Sequence, residues 1–221
     1  MTTDPAMHAL ADEEFQLVAE PILKLVLPEG WGPRDGLEEL FTPEIAARMI
    51  LFPCWQGGII DCLPIKVLAD AALKIGDTGC YIFPWWNGPS NYCYVPLSEL
   101  AEGYDGEPFS STLIHARIGV DPHCAVTTIV SSEGNWGLYT SSAHHALIGG
   151  SPEFIEELRR GVPDINNQVY EFFEFWQENW QEGLLKGHNY GPYRWLPILL
   201  KHIYGEEKGT QLLHESGLPW E

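Results

Sequence analysis

The residues of this chain whose types and spacing best suit chemistry are His123, Cys124, His144 and His145. Imidazole and thiolate are good zinc ligands, and Asp121 would supply a further donor. What brings them together is a hairpin. With a turn at Ser132–Asn135, strands 124–131 and 135–142 pair so that opposed residue numbers sum to 266 or 267. Position 123 then faces position 143 or 144, so that His123, Cys124 and His144 or His145 can meet at one end of a sheet. Adjacent strand residues point to opposite faces, so His144 and His145 are not expected to ligate together. The same group would suit a thiol hydrolase, with Cys124 or Cys93 as nucleophile and His144 or His115 as base. Neither chemistry has a local signature. The chain holds no CxxC pair, no HExxH, no G-x-S-x-G elbow, no P-loop and no dinucleotide fingerprint. No cofactor is expected. The primary expectation is a protein without catalysis. A metal-assisted or Cys/His-dependent hydrolase built on Cys124 and His144 is the alternative.

The elements that must position such residues change period along the chain. Cys80–Phe83 and Tyr92–Val95 are aromatic and β-branched runs separated by Asn87-Gly88-Pro89-Ser90, a hairpin pattern. Thr112–Val120, Ala125–Val130, Trp136–Thr140 and Ala146–Ile148 read as further strands, with connections too short for crossover helices. Helices flank them. Residues 11–27 are helical, with Pro21 as a kink or stop. Thr42–Leu51 reads as a helix capped by Thr42, and residues 61–75 as another that ends at Gly76-Asp77. Ser151 and Pro152 open a helix that Gly161 closes. Asp164–Gln181 is the clearest helix, and Trp195–Leu213 ends the series. The predicted fold is a single α+β domain over residues 1–221. A central antiparallel sheet of five or six strands spans residues 79–148, with N- and C-terminal helices packed on it.

Within Asp164–Gln181, Val169, Phe172, Phe173, Trp176 and Trp180 share one side at 100° per residue. Glu171, Glu174, Glu178 and Glu182 share the other, with no opposite charges expected among them. Like charges at these spacings repel by roughly 0.2–0.5 kcal/mol per pair. Burial of the five apolar side chains, at roughly 1.5–3 kcal/mol each, outweighs that. The acidic strip therefore reads either as a solvated face or as a docking strip for a basic protein.

Composition narrows the partners. Thirty-one Asp and Glu against 12 Lys and Arg give a net charge of −19. The largest basic cluster is the pair Arg159-Arg160, so phosphate backbones and anionic lipids are repelled. Neither nucleic acid nor a membrane is an expected partner. The first 14 residues carry four acids and no Lys or Arg, unlike a signal peptide, and no apolar run would span a bilayer. Five cysteines without CxxC spacing suit free thiols and a cytoplasmic location.

Aromatic residues give a second candidate surface. Trp85-Trp86, Tyr92, Tyr94, Trp136 and Tyr139 cluster in the predicted sheet, where Trp and Tyr bury area and keep a polar handle. Trp86 and Trp136 are the two expected to serve partner binding or self-association into a homo-oligomer. The run Ile129–Leu138, followed by Ala146–Gly150 and a capped helix, resembles small bacterial proteins, some of which are immunity proteins that neutralise a toxin. The resemblance implies a protein partner and assigns no site residue.

Overall fold

Strands in the middle of the chain are apolar on both sides, as strands covered by helices on both faces must be. The computed structural model describes residues 8–27, 40–55, 59–84, 92–103, 107–110, 127–141, 143–188 and 191–221. Among them, one antiparallel sheet runs in the order β1-β6-β5-β8-β9-β10-β2. Its strands are β1 (His8–Ala9), β2 (Ala47–Leu51), β5 (Gly79–Pro84), β6 (Cys93–Pro96), β8 (Thr127–Ser131), β9 (Trp136–Thr140) and β10 (Ala146–Gly150). A smaller sheet joins β3 (Cys54–Trp55), β4 (Ile59–Pro64) and β7 (Pro108–Ser110). The expected α+β architecture is thus present, with a wider main sheet than the strand signals suggested.

The side chains sort by parity. Tyr81, Phe83, Tyr92, Tyr94, Val130, Tyr139 and Leu147 enter one core. Cys80, Ile82, Cys93, Val95, Ile129, Leu138 and Ile148 enter the other. This is the two-residue period of a strand with both faces buried. The first core is covered by α2 (Glu20–Val26), α6 (Gln168–Leu185), α7 (Leu196–Tyr204) and α8 (Glu206–Glu215). The second is covered by α3 (Ile65–Lys74), α4 (Leu97–Gly103) and α5 (Pro152–Gly161).

Several elements follow the sequence closely. In the β8–β9 hairpin, Thr128 opposes Tyr139, Ile129 opposes Leu138 and Val130 opposes Gly137, each pair summing to 267. Gly134 takes φ +73° in its turn, and Ser131 Oγ accepts from the N–H groups of Glu133 and Asn135. In α5, Ser151 Oγ accepts from the Phe154 N–H, the N-cap that its sequence announces.

Other elements depart from expectation for local reasons. Residues 42–51 do not form a helix. The Thr42 hydroxyl donates to the Leu25 carbonyl at 2.7 Å instead of capping its own segment, and Ala47–Leu51 pairs with β10 at the sheet edge. Residues 61–64 belong to β4, and the helix begins only at Ile65. Pro64 is the reason, because the residue before a proline is pushed out of the α region. The N-terminal helix does not stop at Pro21. Between α1 (Asp12–Glu14) and α2 it widens into a π turn, Phe15–Ala19. That turn relieves the clash a proline makes with the carbonyl four residues earlier. The terminal helical region is two helices, α7 and α8, split at Gly205 with φ +80°. The helix α4 had no counterpart among the sequence expectations. The predicted strand Thr112–Val120 lies outside the described residues.

Candidate functional site

Helix α6 positions the site. A 3-10 turn at Ile165–Asn167 leads into it, and it ends four residues later than its apolar pattern implied, at Leu185. Its C-terminus closes with a paired turn. His188 N–H donates to the Gly183 carbonyl at 2.9 Å, and Gly187 N–H donates to the Leu184 carbonyl at 3.1 Å. Gly187 holds φ +74°, a conformation that favours glycine.

Three strips run along α6. Val169, Phe172 and Phe173 are buried in the core. Glu171, Glu174, Glu178 and Glu182 are all exposed. Between them, at helical spacing, lie Phe175 and Asn179. Glu182 is paired with Lys186 one turn on, a cation that the sequence reading overlooked, and that contact lowers the Glu182 pKa. Among the described residues, Glu171, Glu174 and Glu178 have no cation within ion-pair distance.

Beside the acidic strip is a cavity of about 260 Å³, lined by His144, Phe175, Trp176, Asn179 and Tyr193. Four of these residues carry rings, and consecutive rings meet at steep angles. His144 and Phe175 have centroids 5.3 Å apart at 61°, Phe175 and Trp176 5.6 Å at 82°, and Trp176 and Tyr193 5.4 Å at 68°. Trp195 backs the wall, 5.5 Å from Trp176. Asn179 Nδ2 donates to the Phe175 carbonyl at 2.9 Å, which leaves Oδ1 as the acceptor facing away from that bond. The indole Nε1 of Trp176 is buried and has no hydrogen-bond partner among the described residues.

Each wall is held by a different element. His144 sits in the β9–β10 connection with φ +62°, in the left-handed region that non-glycine residues seldom enter. Its carbonyl accepts from the Cys54 N–H at 2.8 Å. That conformation sends the ring onto Phe175, while the next residue, His145, is fully buried with its ring 5.2 Å from Phe172. Tyr193 is fastened through its N–H to the Pro219 carbonyl at 2.7 Å.

The residues expected to do chemistry are distributed differently. His123, Cys124, Asp121 and His115 lie outside the described residues, as does Trp86. Among the described residues no three His, Cys, Asp or Glu side chains gather as metal ligands. Cys93 is buried in the second core, and burial pushes its thiol up to about 12. A thiol so placed is not an accessible nucleophile. Cys54, Cys62, Cys80 and Cys93 are free thiols, all raised chiefly by burial. Trp136 requires a correction. It is fully buried, stacked on Phe154 at 5.3 Å and 16°, and its Nε1 donates to Asp77 Oδ2 at 3.0 Å. Its position on a strand covered by α5 turns it into the second core rather than to solvent.

Sequence reasoning missed the cavity itself. The sequence pattern assigns no role to Phe175, Asn179 or Tyr193, and it places Trp176 only on the apolar side of the helix. The available signal was the flank of α6, where an aromatic and an amide sit between a core stripe and an acidic one. Among the described residues no helix is long and apolar enough to cross a membrane. The chain matches no family model, and comparison with curated proteins and with solved structures gives no match.

Proposed function

We propose that this protein is a non-enzymatic binding protein that captures a basic protein partner through the exposed strip of α6. The observation that carries this reading is the set Glu171, Glu174 and Glu178, exposed side by side and unneutralised by any described cation. A surface that holds like charges together at a cost in helix stability gains long-range attraction for a basic surface. The overall charge of −19 acts in the same direction. The resemblance of residues 129–150 to small bacterial proteins that include immunity proteins makes a basic toxin the first partner class to try.

The test is capture from the native lysate at low salt with wild-type protein and with a Glu171→Lys/Glu174→Lys/Glu178→Lys variant. A stoichiometric basic protein, eluted by salt and absent from the variant, would support the reading. Identical eluates from both would overturn it.

A further inference from the structure

We infer that the cavity beside α6 receives the guanidinium of an arginine side chain presented by the basic partner, an assignment that rests on the acidic-face reading above. Ring faces carry the negative part of the aromatic quadrupole, and steeply angled rings surround a guest with faces and edges alike. Here His144, Phe175, Trp176 and Tyr193 form such a sequence of walls. At about 260 Å³ the space is smaller than the pockets that hold drug-sized ligands, and it suits one side chain.

Charge selects the guest. Glu171, Glu178 and Glu182 lie one helical turn from Phe175 or Asn179, which puts carboxylates on the flank of α6 next to the lining. The basic residues nearest in sequence are Lys186, committed to Glu182, and the exposed Arg194. An anion would meet a repulsive rim, and a neutral apolar guest would leave the carboxylates unused.

Among the polar groups of the lining, Asn179 narrows the cation. Asn179 commits its Nδ2 to the Phe175 carbonyl, so Oδ1 remains to accept. A guanidinium has N–H donors in its plane and a flat face that stacks on rings. A quaternary ammonium has the charge and none of the donors. The cavity therefore fits the arginine head by stacking, by one hydrogen bond and by the acidic rim.

The experiment is titration of the full chain with the blocked tripeptide Gly-Arg-Gly. The readout is the indole N–H resonance of Trp176, assigned by its loss in Trp176→Phe. A saturable shift with a Kd on the order of 1 mM is expected for one side chain. The blocked Gly-Leu-Gly peptide and tetramethylammonium should bind at least about tenfold more weakly. Asn179→Leu should weaken the arginine peptide by about tenfold while the circular dichroism stays unchanged, which holds the test open even if Trp176→Phe fails to fold. Equal shifts with the leucine peptide, equal shifts with tetramethylammonium, or no shift with any probe would each overturn the assignment. Salt-sensitive capture that persists without an arginine response overturns the cavity assignment alone. An arginine response without such capture supports the cavity assignment and overturns the acidic-face reading.

Discussion

The indole of Trp136 and the carboxylate of Asp77 meet inside the second core, with Nε1 and Oδ2 3.0 Å apart. Asp77 is 1% exposed, and its other oxygen accepts from the Thr78 N–H at 2.9 Å and the Ser132 hydroxyl at 3.0 Å. One carboxylate thus ties the end of α3 to the β8–β9 turn and to the largest buried side chain of β9. Replacing it by alanine leaves the Trp136 donor buried without an acceptor. Asp77→Ala is expected to destabilise the fold by roughly 1–3 kcal/mol, with Asp77→Asn losing less. Urea denaturation measures both, and equal losses in the two variants would assign the effect to the carboxylate charge, because asparagine keeps the volume and one acceptor oxygen.

His202 sets an acid limit. Its Nε2 accepts from the Phe41 N–H at 3.1 Å, and that acceptor is lost on protonation. Burial, and then the charge of Arg48, lower its pKa from 6.5 to about 4. Between those values the unfolded chain binds a proton that the native state excludes. Stability is therefore full above pH 6.5 and declines as pH falls toward 4. His202→Asn should flatten the melting temperature across that window. An unchanged slope would show that other groups carry the acid sensitivity.

The acidic strip should trade stability for binding. Glu171, Glu174 and Glu178 are neighbours at i,i+3 and i,i+4. Glu174→Gln with Glu178→Gln should raise stability by a few tenths of a kcal/mol, roughly 0.2–0.5 per relieved pair. The same pair changed to lysine should slow association with a basic partner, most strongly at low salt. Association rates that do not respond at low salt would remove α6 from the interface.

Gly209 marks where two helices touch backbone to backbone. A Cβ built there would stand 2.7 Å from the Leu200 carbonyl oxygen and 2.7 Å from the Lys201 Cα. Neither atom belongs to a side chain that could swing away. Gly209→Ala should cost roughly 1–3 kcal/mol, despite the better helix propensity of alanine. A thermal melt that rises instead would mean that α7 and α8 separate readily.

The parts of the fold most legible in the sequence were those with local punctuation. The β8–β9 register followed from one turn, and the start of α5 from Ser151 and Pro152. Elements decided by distant partners were harder to read. Residues 47–51 have a composition that suits a helix or a strand, and pairing with β10 chose the strand. Pro64 did carry a local signal for β4, and the apolar run after it masked that signal. At the candidate site, the acidic strip of α6 was visible because four glutamates share a period. The cavity was not, because His144 and Tyr193 come from two separate loops whose approach no spacing encodes. Trp136 shows the opposite failure: a residue type common at interfaces was turned inward by the helix over its strand.

The hydrogen bond from Tyr193 to Pro219 gives the cavity an independent weak point. One of its walls hangs from the segment after α8, whereas the sheet is held by strand pairing and by helices on both faces. Clipping or loosening residues 216–221 would therefore deform the cavity first and leave the sheet standing. Limited proteolysis at that end is expected to loosen the lining of the cavity before it disturbs the strand pairing, so the two would fail at different places along the same chain.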